Sequence, residues 1–158
     1  MADMREAHCC SVTLIVVGDD LEPEDVTSAL GWNPDHSWRR GEHKRFKRPD
    51  GTERVFDSIH DRGGWKLFTA DDERERSLQY QVTAWLGRLH VKGPALLGLR
   101  GRGWDIGLNC FAATSECLDL PVTALGELVS MGVGLSLTFS ADTDEIVTEP
   151  VAAPEPAK

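Results

Sequence analysis

SVTLIVVGDDLEPEDVTSALG, residues 11–31, reads as an apolar strand, an acidic turn and a short helix in succession. From His8 to Val17 the residues alternate, with Cys10, Val12, Leu14 and Val16 on one face. The other face is also largely apolar or β-branched, the mark of a central strand covered on one side and partly shielded on the other. Gly18-Asp19-Asp20 ends it. Pro23 suits the first helical position, where a missing N–H costs nothing, and Glu24 and Asp25 complement the positive helix end. Val26, Ala29 and Leu30 form the inward stripe, and Gly31 is placed to cap the C-terminus in a left-handed conformation. Asp19, Asp20, Glu22, Glu24 and Asp25 are therefore punctuation rather than a metal cluster.

Outward from this unit, Trp32-Asn33-Pro34 is a turn, and His36 to Glu42 is a short strand anchored by Trp38. Gly41 to Arg62 is dense in charge. Its Pro49-Asp50-Gly51 turn signal predicts a hairpin of Lys44–Lys47 against Arg54–Ile59, with a mobile insertion over residues 42–62 as the alternative. Trp65 to Thr69 is the next strand. Asp71 or Asp72 is expected to cap a second helix, whose stripe is Leu78, Val82, Trp85, Leu86 and Leu89. Gly93-Pro94 breaks that helix before a short helical turn from Ala95 to Arg100. Gly103 to Ala113 is a strand with Trp104, Ile106, Leu108, Cys110 and Ala112 inward.

The last helix is expected from Pro121, at the first position, to Met131, with Val122, Leu125, Leu128 and Val129 inward. The final strand, Val133 to Ala141, alternates most cleanly, with Val133, Leu135, Leu137, Phe139 and Ala141 on the core side. Gly134, Ser136, Thr138 and Ser140 then face water or a shallow groove. Residues 1–7 read as a loose arm, and the acidic, proline-rich residues 143–158 as a disordered tail.

The element order predicts one α+β domain over residues 8–142, with helices packed on one face of a mostly antiparallel, ferredoxin-like sheet. Leu21-Glu22-Pro23 to Gly31 is echoed by Leu118-Asp119-Leu120-Pro121 to Gly132, a hint of two related halves.

Composition narrows the function classes. The chain has 158 residues, 41% apolar and 27% charged, as expected of a soluble globular protein. No apolar run approaches the roughly 20 residues a membrane helix needs, so no membrane partner is expected. The N-terminus lacks a hydrophobic signal region, and the four cysteines form no C-x-x-C pair. A cytoplasmic protein with free thiols is the expectation, with Cys10 and Cys110 buried. His8, Cys9 and Cys10 lack paired ligand spacing, so no metal or other cofactor is expected.

Leu21-x-Pro23-x-x-Val26-Thr27-x-x-Leu30-Gly31 after a strand ending in Gly-Asp, then Gly41-Glu42, then Gly63-x-Trp65-x-Leu67, form a familiar series. With the apolar strand Leu135 to Phe139 after the last helix, the chain resembles the bacterial domain of unknown function family 4279 over roughly Cys9 to Asp142. The resemblance implies a small standalone bacterial domain and carries over no catalytic residue. The segment Glu42 to Arg62 looks like an insertion relative to its pattern.

One constellation could carry a function. Arg39, Arg40, Lys44, Arg45, Lys47, Arg48 and Arg54 stand against three acids, a local charge of +4, so the rest of the −9 chain carries −13. Trp38 and Phe46 are interleaved, and Trp32 and Trp38 are candidates for an exposed interface. Asp57, Ser58, His60 and Asp61 lie close in sequence but lack a nucleophile elbow, and no catalytic residue is assigned. The expected function is non-enzymatic binding of a protein, for instance by an immunity-type protein that occludes a basic partner. The alternatives are nucleic-acid binding through residues 39–54, and a small-molecule or enzymatic site on the polar sheet face.

Overall fold

In a computed structural model, which describes residues 9–140, a five-stranded sheet carries four helices on one face and a separate two-stranded hairpin. In chain order the elements are β1 (Cys10–Gly18), α1 (Pro23–Leu30), β2 (His36–Trp38), β3 (His43–Lys47), β4 (Glu53–Ile59) and β5 (Gly63–Phe68). They continue with α2 (Leu78–His90), α3 (Gly93–Gly101), β6 (Asp105–Ala113), α4 (Val122–Met131) and β7 (Val133–Ser140). The sheet runs β2-β5-β1-β6-β7, antiparallel at every pair except β6–β7, which is parallel across the α4 crossover. The fold is thus α+β with a mostly antiparallel sheet. β3 and β4 pair only with each other. The expected N-terminal arm and C-terminal tail lie outside the described residues.

β1 sits at the centre because both its edges are paired. Its register aligns Leu14 with Leu67 and Leu108, and Val16 with Trp65 and Ile106. These residues face the helices, and Val26, Leu30, Leu78, Trp85, Leu89, Leu96 and Leu128 close over them into one core. Trp65, Trp85 and Trp104 are fully buried, and each indole N–H finds an oxygen: Thr27 Oγ1 at 3.1 Å, Thr69 Oγ1 at 3.1 Å and Asp20 Oδ1 at 2.8 Å. Satisfying each donor removes the cost of burying it. No described helix is long and apolar enough to cross a membrane.

Three sequence expectations are corrected. Neither Asp71 nor Asp72 caps α2: residues 71–77 form turns, and Ser77 Oγ accepts from Tyr80 N at 3.2 Å. Buried Gln81 is the reason, because its Nε2 donates to the carbonyls of Arg74 (3.1 Å) and Arg76 (2.9 Å) and so holds the loop off a helical path.

In α4, Pro121 is the N-cap rather than the first helical residue, and the buried residues are Leu128 and Met131, with Ala124 packed against the core. Of the expected stripe Leu128 is buried, but Val122 (84% exposed), Leu125 and Val129 (79%) are turned out. Residues 124, 128 and 131 are spaced as a helical face just as 122, 125, 128 and 129 are, so periodicity fixes Leu128 but cannot choose between its neighbours.

On β7 only Val133 is buried and Leu135 partly so, while Leu137 and Phe139 are exposed. A ten-residue helix rises only about 15 Å, whereas eight strand residues extend about 26 Å, so α4 leaves the end of its strand uncovered.

Replacing Ser77 by Ala is expected to lower stability by about 1 kcal/mol in urea denaturation. Asp71→Ala, at a surface residue that caps nothing, should stay within about 0.5 kcal/mol. Equal losses would restore Asp71 as the cap.

Candidate functional site: a basic hairpin seated on the sheet

The hairpin is anchored through Trp38, the last residue of β2. Trp38 pairs in register with Gly64 and is only 9% exposed. Its ring lies where a side chain on residue 64 would be: a Cβ there would stand 2.0 Å from Trp38 Cζ2. Trp38 Nε1 donates to the Arg62 carbonyl at 2.9 Å. His60 stacks on the indole, with ring centroids 4.6 Å apart and planes 20° apart. His36 tilts against it at 5.2 Å, and Lys66 Nζ lies 5.3 Å from the ring centre.

An arginine clamps each end of the excursion. At the entrance, Arg39 donates to Glu22 Oε2 at 2.7 Å and Glu24 Oε1 at 2.6 Å, at the start of α1. At the exit, Arg62 donates to Asp19 Oδ1 at 2.9 Å and Asp105 Oδ2 at 3.1 Å. These contacts depress the Asp105 carboxyl, first through Arg62 and then through Arg100. Glu24 is held low first by its own backbone N–H and then by Arg39. All of these pairs are solvent-exposed, so they set position more than stability. Backbone bonds from Gly41 N to His60 O and from His60 N to Glu42 O, both 2.8 Å, close the neck.

Beyond the neck, every residue of β3 and β4 is exposed. Pairing of Phe46 with Arg54 and of Arg45 with Val55 divides the ribbon into two faces. Phe46, Arg54 and Phe56 share one face, where the Arg54 guanidinium lies 4.9 Å from the centre of the Phe56 ring. Arg45, Lys47, Glu53 and Val55 share the other, and Ile59 pairs with His43 beyond a shift in register. Phe46 is 57% and Ile59 52% exposed. Arg45 reaches Glu53 at 3.4 Å, whereas Arg40, Lys44, Lys47, Arg48 and Arg54 form no ion pair among the described residues.

The nine sequence candidates thus divide. Arg40, Lys44, Arg45, Lys47, Arg48 and Arg54 lie on one projecting ribbon or at its neck. The proposed exposed interface of Trp32 and Trp38 is corrected. Trp32 stands edge-on to core residue Trp85 at 6.2 Å, and Trp38 is the buried anchor. Arg39 is a clamp. Sequence reading missed Arg62, Phe56, Val55 and Ile59. The alternation of Val55 with Phe56 inside a charged run was the available signal for the apolar pair.

Two other features bear on chemistry. On the helix-free face of the sheet a groove of about 260 Å³ is lined by Ser11, Thr13, Lys66, Phe68, Asn109 and Thr138, among others. Burial pushes the thiols of Cys10 and Cys110 up to about 11, so neither is a ready nucleophile. Among the described residues no three His, Cys, Asp or Glu side chains gather as a metal site.

An α+β domain with a seated, solvent-exposed β-ribbon is the class these observations define. A family model described as Domain of unknown function (DUF4279) matches residues 8–141, hairpin included, and the chain belongs to that family. No curated protein and no solved structure matches the chain.

Gly64→Ala is expected to force Trp38 off the sheet and cost about 1–3 kcal/mol, read by denaturant melts and tryptophan fluorescence. The anchor also carries a pH dependence. Burial, then Lys66, lowers the pKa of His36 from 6.5; burial, then Lys44 and His36, lowers that of His60. Below 6.5 the unfolded chain therefore binds more protons than the folded one, and stability falls with pH until the folded pKa values are passed. From about pH 7.5 to 5.5 the melting temperature should drop, and the double variant His36→Gln, His60→Gln should flatten that part of the curve.

Proposed function

We propose that this protein is a non-enzymatic binding module that uses the β3–β4 ribbon to engage a protein partner. The observation that carries the reading is apolar exposure on both faces of the ribbon, Phe46 and Phe56 on one and Val55 on the other, with Ile59 exposed nearer the neck. An isolated two-stranded ribbon is marginal in water, and a protein groove that covers both faces would supply the missing burial. The cations around these residues favour an acidic rim on the groove. A basic partner, expected from the −9 net charge and the immunity-type reading, would instead meet the acidic body. The cytoplasmic, bacterial setting belongs to the same proposal.

Single-stranded nucleic acid is the second reading, favoured by Phe46, Arg54 and Phe56 on one face without an acid. The polar groove on the helix-free face supports a third, small-molecule or enzymatic reading. We also read β2-β5-β1-β6, all antiparallel with helices after β1 and β5, as a ferredoxin-like unit extended by β7. Left-handed glycine caps at Gly31 (φ 72°) and Gly132 (φ 69°) support two related halves.

Affinity capture with the wild-type chain and with a Phe46→Ala, Phe56→Ala variant tests the first reading. The wild type should retain a partner that the variant loses by about tenfold or more, while both keep the same melting curve. Identical capture by both would overturn it. For the second reading, the four-fold Gln variant of Lys44, Arg45, Lys47 and Arg48 should flatten the salt dependence of binding to a single-stranded oligonucleotide of about 20 residues. No shift of single- or double-stranded probes at low salt would remove it.

A further inference from the structure

Among the described residues β7 is an end strand of the sheet, paired along one side only. Val133–Ser140 has no charged residue and no proline, the devices by which edge strands ordinarily deter pairing. Beside it, α4 turns Val122, Leu125 and Val129 outward, and Leu137 and Phe139 emerge uncovered from the helix-bearing face of the sheet. In α4 and β7 together the single charged residue is Glu127. These are the residues whose pattern in sequence is that of a core, and none of the described residues buries them.

We propose that this surface is an interface with a second copy of the chain, in which two β7 strands pair antiparallel about a twofold axis perpendicular to the sheet. That axis leaves both helical layers on the same side of a ten-stranded sheet. Each α4 then meets the other, so that Val122, Leu125 and Val129 face their counterparts and Leu137 and Phe139 are closed beneath them. The contact is self-complementary, as a twofold interface requires. Charge selects a second copy over an ionic partner. Two chains of −9 repel over most of their surfaces, whereas this one holds a single carboxylate and offers a charged partner nothing to pair with. The ribbon β3–β4 lies off the five-stranded sheet and is not part of this surface.

Sedimentation equilibrium on the full chain, from about 1 to 100 μM, tests the proposal. The expected result is a species of twice the chain mass that persists at about 1 M salt, since no ion pairs hold it. Val129→Lys and Leu137→Lys, both at exposed positions of the folded chain, should each raise the dissociation constant by about 100-fold with unchanged circular dichroism. Phe46→Ala on the ribbon should leave it unchanged. A monomer throughout the range would overturn the proposal, as would a dimer that salt or the ribbon substitution dissolves. A full chain that stays monomeric while a version ending at Ser140 dimerises would also overturn it, by assigning the surface to the chain's own C-terminal segment.

Discussion

Gly64 has no side chain, and Trp38 occupies the space one would take. That single accommodation lets a bulky indole lie flat on the sheet and end β2 with its N–H satisfied at Arg62. His60 can then stack on its other side. The chain leaves the sheet at Trp38 and returns at Gly63, so both necks of the ribbon converge on one aromatic platform. Arg39 and Arg62 tie the two necks to acids at the start of α1 and at the ends of β1 and β6. Without the platform, about twenty residues with no core of their own would have nothing to orient them.

The molecule separates its work by location. Beneath the helices, β1 holds a core whose three tryptophans each place a nitrogen on a side chain from a loop or helix, which fixes α1, α2 and the turn after β1 against the sheet. Outside it lie three surfaces of different character: a basic, apolar ribbon, an acidic body, and a nearly uncharged edge made by α4 and β7. The ribbon and the edge lie in different sheets, so contacts at one leave the other free.

Much of the core was legible because each pattern had one solution. The α2 stripe Leu78, Val82, Trp85, Leu86 and Leu89 is buried in full, as are Trp104 just before β6 and Ile106, Leu108, Cys110 and Ala112 within it. The ribbon was legible from Pro49-Asp50-Gly51 and its flanking alternation. α4 was legible only at Leu128, because residues 122, 125, 128 and 129 and residues 124, 128 and 131 satisfy the same period, and the choice falls to packing against α3 and β7. The start of α2 misled because acids before a helix usually cap it, whereas here Gln81 takes the carbonyls that a longer helix would use.

The sequence by itself determined the α+β class, the order of the main elements, the central place of β1 and the basic character of residues 39–54. These follow from local periodicity, turn chemistry and charge, which need no knowledge of neighbours in space. Only the tertiary structure decided that Trp38 is an anchor, that Arg39 is a clamp and that β7 runs parallel to β6 with half its apolar face open. Each of these depends on which residues meet across long separations. Trp38 meets Gly64, Arg39 meets Glu22 and Arg62 meets Asp105, and no local pattern encodes those meetings.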